Sequence, residues 1–138
     1  LDHLRRQTLR LAGLQVVVVD DNATNRMVLQ SLLLDYGVAA QTAENGAEAV
    51  DAWADREWNA ILMDISMPVM NGMEATLAIR ERERETGRGH TPIIAVTASA
   101  MSHETEAYLA AGMDAVVAKP VDADTLMAIL TDRMRLAA

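Results

Sequence analysis

The stretch Asn59-Ala60-Ile61-Leu62-Met63-Asp64-Ile65-Ser66-Met67-Pro68-Val69-Met70-Asn71-Gly72 decides the fold of this chain. Ala60-Ile61-Leu62-Met63 has no polar alternate, which is the pattern of a strand covered on both faces, as strands inside parallel sheets are. Pro68 and Gly72 then break the backbone, so the strand ends at Asp64 and a loop follows at once. An ionised carboxylate is costly inside such a core, which places Asp64 at the rim. Open α/β sheets bind their ligands there, outside the carboxyl ends of the strands. Read alone, a strand-end Asp serves equally well as a cap on the following turn. The other strand ends decide between the two.

Three further apolar runs end in polar groups of complementary kinds. Val16-Val17-Val18-Val19 ends in Asp20-Asp21, Ile93-Ile94-Ala95-Val96 ends in Thr97-Ala98, and Ala115-Val116-Val117-Ala118 ends in Lys119-Pro120. These motifs, in this order and with Met67-Pro68 and Gly72 behind Asp64, resemble the receiver (response-regulator, CheY-like) family of phosphoacceptor domains. The resemblance covers residues 14–135. Asp20-Asp21-Asn22 with Asn25-Arg26, and Met67-Pro68-Val69-Met70-Asn71-Gly72, are most similar to receivers attached to hybrid sensor histidine kinases.

The resemblance implies a doubly wound (βα)5, flavodoxin-like three-layer sandwich with a parallel sheet in the order 2-1-3-4-5. It also implies a chemistry. Three carboxylates at adjacent strand ends repel one another unless a cation lies between them, and an oxygen-only set favours Mg²⁺, with Mn²⁺ as the alternative. By resemblance Asp21 and Asp64 are direct ligands, Asp20 acts mainly through water, and the Ser66 carbonyl completes the set. Asp64 is then the nucleophile that takes a phosphoryl group from a histidine, while Thr97 and Lys119 meet the charge on the transferring oxygens. Ala98 is small enough to leave access. Pro120 matches the family's cis proline. Ser66 and Ser99, two residues after Asp64 and Thr97, occupy positions that influence phosphoryl lifetime in the family. One position departs: three residues before the strand-end Lys the family usually carries an aromatic, and here it is Val116.

Composition sets the outer limits. A chain of 138 residues, 51% hydrophobic, is expected to form one domain with a real core. Its formal charge of −8 argues against nucleic acid as a partner, since backbone phosphates need clustered Lys and Arg. With no Cys, disulfides, thiol catalysis and Cys-based zinc sites are excluded, and a reducing cytoplasm is the expected location. No apolar stretch approaches the roughly 20 residues of a membrane helix, so no direct membrane contact is expected. The first ten residues carry Asp2, Arg5, Arg6 and Arg10 and do not form a signal peptide. The start at Leu1 leads us to expect a piece of a longer polypeptide, whose parent can be membrane-anchored. Of 12 basic residues, 11 are Arg, and Lys119 alone is Lys. A compact ammonium on a flexible stem suits a single phosphoryl oxygen in a narrow cleft better than a planar fork does.

Residues 1–13 read as a linker or tail from an upstream module, and 14–138 as the receiver unit. A strand at 15–19 leads into a helix capped by Asn22 or Thr24, with Met27, Val28, Leu32, Leu33 and Leu34 as its apolar residues and Gly37 as its stop. Strand two is expected over 38–42, and Asn45-Gly46 opens a helix to Arg56. Trp53 and Trp58 read as packing residues, because Asp51, Asp55 and Glu57 around them offer no basic groove for stacked bases. Helix three spans 73–84 and ends in Arg80-Glu81-Arg82-Glu83-Arg84-Glu85, a run of alternating charge that reads as a solvated helix end. Ser102 caps helix four and Gly112 closes it. Asp122 caps the last helix, whose Leu126, Met127, Ile129, Leu130 and Met134 face inward.

The phosphodonor is not in this chain, since His3, His90 and His103 have no evident partner in sequence. The partner expected is a histidine kinase domain, a histidine phosphotransfer domain, or both. Two rivals stand beside this reading. A haloacid-dehalogenase-type phosphatase wants a second Asp two residues after the nucleophile, where Ser66 stands. The other rival is a receiver-shaped interaction module that regulates a partner protein, with phosphorylation secondary.

Overall fold

The computed structural model describes residues 13–98 and 101–137, with side chains through 132. Five strands and five helices alternate: β1 (Val16–Val19), α1 (Ala23–Leu34), β2 (Ala40–Ala43), α2 (Gly46–Asp55), β3 (Ala60–Asp64), α3 (Gly72–Thr86), β4 (Ile93–Thr97), α4 (Ser102–Ala110), β5 (Ala115–Ala118) and α5 (Ala123–Ala137). The strands form one sheet in the order β2-β1-β3-β4-β5, every pair parallel. This is the expected flavodoxin-like order.

The apolar runs lack alternation because both faces of the sheet are covered. Val17, Val19, Ile61, Met63, Ile93 and Ala95 face α2, α3 and α4, and pack with Trp53, Ile79 and Tyr108. Val16, Val18, Leu62, Ile94 and Val96 face the other way and pack with Leu29 and Leu33 of α1 and Leu126, Met127 and Leu130 of α5. Period two within each strand thus feeds two separate cores. The edge strand β2 keeps Gln41 and Thr42 exposed, which explains its weak signal in sequence. It also starts later than expected, at Ala40. Val38 is buried but serves α1, donating its N–H to Leu33 O beyond the left-handed Gly37.

Several helix expectations are corrected. Met27 (64% exposed), Val28 (52%) and Leu34 face outward, because the stripe that meets the sheet is Leu29 with Leu33, one turn apart. The α1 cap is Asn22, which accepts from Asn25 N–H. Ser102 is the first residue of α4, and the N-cap position belongs to Met101 with no side-chain cap. Helix α3 runs on to Thr86, started by a reciprocal capping box between Asn71 and Glu74. Asp122 does cap α5, accepting from Thr125 N–H and Oγ1–H, and these bonds lower its carboxyl pKa.

The charge run at the end of α3 is only half solvated. Arg80 and Glu83, one turn apart, turn inward and are buried. Arg80 donates to Glu83 Oε1 at 2.8 Å, Asp114 Oδ2 at 2.9 Å and Gly112 O at 2.9 Å. His90, expected to have no partner, lies with Nε2 2.7 Å from Asp114 Oδ1. Trp53 and Trp58 are packed as expected, each donating its indole N–H inside the protein, to Thr91 Oγ1 and Ala52 O. The expectations on residues 1–12, His3, Ser99 and the Met134 side chain fall outside the described residues.

Candidate functional site

Parallel pairing brings the carboxyl ends of β1, β3, β4 and β5 to one edge of the sheet. Val19 is in register with Met63, Asp64 with Val96, and Thr97 with Ala118. The residues that follow, or end, these strands therefore converge: Asp20 (1% exposed), Asp64 (4%), Thr97 and Lys119. The backbone is tied there too, since Asp20 N–H donates to Ala43 O and Lys119 N–H to Thr97 O. The Lys119-Pro120 bond is cis, as the motif implied.

Glycine fixes the loop behind Asp64. A Cβ on Gly72 would strike the Asp64 carbonyl, and Gly72 N–H donates to Ile65 O at 3.0 Å. A Cβ on Gly46 would strike Met70 O, to which Gly46 N–H donates at 2.9 Å. Between these two anchors Met70 N–H reaches back to Pro68 O at 2.7 Å across Val69, whose φ is 68°. This is a tight three-residue turn that a β-branched residue adopts only under strain.

The side chains form a mixed-charge cluster. Asp20, Asp21 and Asp64 each place a carboxylate oxygen within 4.8 Å of the others, and Asp21 is the exposed member. Lys119 Nζ lies 3.4 Å from Asp20 Oδ2 and 3.3 Å from Asp64 Oδ1. Asp20 is further held by Asn22 N–H on Oδ1 and by the Arg26 guanidinium on its carbonyl oxygen. Burial raises the Asp64 pKa, the Asp20 charge raises it further, and the Lys119 ammonium opposes both without cancelling them. For Lys119, burial works against the ammonium, but the Asp64 and Asp20 carboxylates outweigh it and the pKa is raised. The two shifts agree physically: a pair of carboxylates around one ammonium is over-supplied with negative charge.

A cavity of about 510 Å³ opens over this cluster, and Asp21, Asp64, Ser66, Thr97 and Lys119 line it. The six residues singled out in sequence thus meet in one place, with Asp20 beneath the floor. Sequence reading missed the opposite wall, Glu104 and Tyr108 of α4. They stand one turn apart on α4, and nothing in that helix's own sequence marks the face they share. An all-oxygen donor set of three carboxylates this close fits a small hard divalent cation, and the neighbouring ammonium fits an anion beside it.

Known proteins resemble this chain in sequence and fold. The response regulator receiver domain family matches residues 16–131. The hybrid signal transduction histidine kinase I of Dictyostelium discoideum is 38% identical over 125 residues, and the match covers 87% of this chain but 7% of that protein. The chain therefore spans a small part of that curated relative. The receiver domain of sensor histidine kinase PA1611 from Pseudomonas aeruginosa PAO1, crystallised with a magnesium ion coordinated in the active-site cleft, superposes with a TM-score of 0.80. It is 35% identical, covering 90% of this chain and 99% of that one. The co-crystal of the Saccharomyces cerevisiae histidine phosphotransfer signaling protein Ypd1 with the receiver domain of its downstream response regulator Ssk1 gives a TM-score of 0.86 at 30% identity, over 92% of this chain and 93% of that one. Four strand-end motifs, the sheet order and these matches agree: the chain belongs to the response regulator receiver domain family.

Proposed function

We propose that this chain is the phosphoacceptor of a two-component phosphorelay, with Asp64 taking a phosphoryl group from a histidine of another domain or protein. One observation carries the reading: the sole Lys of the chain has its ammonium within 3.4 Å of Asp20 and Asp64, at the floor of an open cleft. An Asp64 oxygen attacks phosphorus, the P–N bond to the donor imidazole breaks, and the imidazole leaves with the bonding pair. Lys119 follows the charge onto the phosphoryl oxygens, as a point donor on a flexible stem can. Thr97, at the end of β4, offers a hydroxyl on the same side.

Asp21 and Asp64, with Asp20 behind them and the Ser66 carbonyl beside them, are the residues that would hold Mg²⁺, or Mn²⁺ in its place. When bound, such an ion supplies charge neutralisation at the phosphoryl oxygens. Support comes from the donor chemistry and from the magnesium held by the Pseudomonas receiver. The Ypd1 co-crystal supports a histidine phosphotransfer domain as partner, and the Dictyostelium relative supports a histidine kinase domain in the same parent protein. Residues 14–138 then form the receiver unit of that parent, with 1–13 as its connector. No helix among the described residues is long and apolar enough to cross a membrane. A cytoplasmic placement, with any membrane anchor elsewhere in the parent, accords with this.

The test is phosphoryl uptake from a ³²P-labelled histidine phosphotransfer domain, with Mg²⁺ or with a chelator. Label should appear on the wild type only with the metal and should be absent from Asp64→Asn. Labelling of Asp64→Asn at the wild-type level would overturn the assignment.

A further inference from the structure

The peptide unit that joins Asp20 to Asp21 is held by a charged side chain of α1. The unit before it is fixed at the sheet, where Asp20 N–H donates to Ala43 O at 3.1 Å. The unit after it is fixed by Asp20 itself, whose Oδ1 accepts from Asn22 N–H at 2.9 Å. The unit between them has its carbonyl, Asp20 O, bonded to Arg26 Nη1 at 2.7 Å. A peptide unit is planar, so fixing that carbonyl sets the angle at which the chain enters Asp21. Asp21 depends on this more than Asp20 does. Its carboxylate is exposed and has no hydrogen-bond partner among the described residues, whereas Asp20 is buried and paired with Lys119.

The guanidinium is itself held in place. Its Nη2 lies 3.5 Å from Glu44 Oε1, and only 16% of the Arg26 side chain is exposed. Glu44 follows Ala43, whose carbonyl holds Asp20 N–H, and its own N–H donates to Glu48 Oε1 at 3.1 Å in the first turn of α2. The planar fork of Arg26 thus joins α1, the Asp20-Asp21 turn and the loop between β2 and α2. Its charge and its hydrogen bond act with opposite signs on a cation. A guanidinium repels any cation brought to the neighbouring carboxylates, whereas a preset ligand set loses less freedom on binding than one that must be assembled. Accepting the reading of Asp21 and Asp64 given above, we propose that Arg26 is a positioning residue for the divalent cation. By holding the Asp20-Asp21 peptide unit, it keeps the Asp21 carboxylate within the 4.8 Å that the three carboxylates share.

The experiment is a Mg²⁺ titration followed by backbone amide shifts, on wild type, Arg26→Ala, Arg26→Lys and Arg88→Ala. Arg88 is the comparison, because its guanidinium donates to Trp53 O at 2.6 Å and Arg56 O at 2.9 Å, at the far end of α2 from the cleft. Arg26→Ala should bind Mg²⁺ at least about tenfold more weakly, the low side of the effect of residues that hold metal ligands in place. Without metal, its amide shifts should differ from wild type at Asp20, Asp21 and Asn22 and agree at Leu62 and Ile94, which shows that the core is formed. Arg26→Lys keeps a cation and one donor group and should recover part of the affinity. Arg88→Ala should bind as wild type does. An Arg26→Ala affinity at or above the wild-type value would overturn the proposal, since loss of charge alone predicts that result. Equal weakening in Arg88→Ala would overturn it in favour of a general loosening of the fold. A wild type that binds no Mg²⁺, or binds it without shifts at Asp21 and Asp64, would defeat the cation-site reading and the proposal with it.

Discussion

The Lys119 ammonium lies 3.3 Å from Asp64 Oδ1, and the Asp64 pKa is nevertheless raised. Burial and the neighbouring Asp20 outweigh the ion pair, so at neutral pH the Asp64 carboxylate costs the fold stability. Because the folded pKa lies above the ordinary carboxylate value of 3.8, the folded state holds this proton more tightly than the unfolded chain does. The stability so gained is full below 3.8 and is lost as pH rises through the folded value. Asp64→Asn should therefore be more stable than wild type at pH 7 in chelator, by roughly 0.5–2 kcal/mol, the scale on which removing an active-site strain stabilises a protein. The difference should vanish as pH falls below the unfolded value. Urea unfolding across this range checks it; equal midpoints at pH 7 would mean that Lys119 cancels the burial cost. Lys119 follows the same sign in a higher pH window. Its raised pKa gives stability that is full below 10.5 and is lost as pH climbs through the folded value.

The loop after β3 holds two residues whose backbones pull in opposite directions. Gly72 has no room for a Cβ beside the Asp64 carbonyl, and Val69 sits at φ 68° with its side chain 83% exposed. Gly72→Ala should cost about 1–3 kcal/mol through forced displacement of the backbone. It should also depress phosphoryl uptake, since the displaced atoms carry Asp64. Val69→Gly releases strain of about 1–3 kcal/mol and loses part of that to the freer unfolded chain. The net expectation is a small gain in stability. Thermal unfolding of the two variants decides, and a Gly72→Ala protein with wild-type stability and uptake would refute the contact argument.

At the other end of β4, Arg80 is clamped by Glu83, Asp114 and the Gly112 carbonyl, and the two carboxylates also accept from Thr91 N–H and Ile93 N–H. Arg80→Ala strips the cation from two largely buried carboxylates and should cost about 3–5 kcal/mol. Arg80→Lys should recover only part of this, because one ammonium does not replace three directed donors. Beryllofluoride affinity of the folded fraction should remain at the wild-type value, since Ile93 begins the strand that Thr97 ends. A loss below 1 kcal/mol in Arg80→Ala would show that water replaces the guanidinium.

This cluster marks the limit of what the sequence made legible. The strand-end residues were readable because each follows an uninterrupted apolar run, and parallel register does the rest. Arg80 and Glu83 were not, because a run of alternating Arg and Glu has the same local signature whether it meets water or Asp114, 34 residues away. The core face of α1 was not legible for a related reason: apolar residues such as Met27, Val28 and Leu34 cover more than one face of the helix, and only contact with the sheet selects Leu29 and Leu33. Glu104 and Tyr108 were hidden by distance along the chain, since nothing in α4 itself says which of its faces meets Asp64.

Val116 gives the last prediction. It lies half-buried on the α4 side of the sheet, packed against the cluster that holds Tyr108. Tyr108 is already inside, 8% exposed, with its surface on the cleft. A switch needs an element with two arrangements that the bound state distinguishes. A Val with one stiff torsion supplies little at position 116, and a ring already packed in the core leaves no vacant place to enter. Loading Asp64 should therefore alter α4, β5 and the start of α5 only modestly, and the face offered to a partner should be largely preformed. Backbone amide shifts in Mg²⁺, with and without beryllofluoride, test this. Changes should gather around Asp20, Asp64, Thr97 and Lys119, whereas large shifts throughout residues 101–125 would show that α4 moves as a body and that the coupling runs through contacts other than position 116.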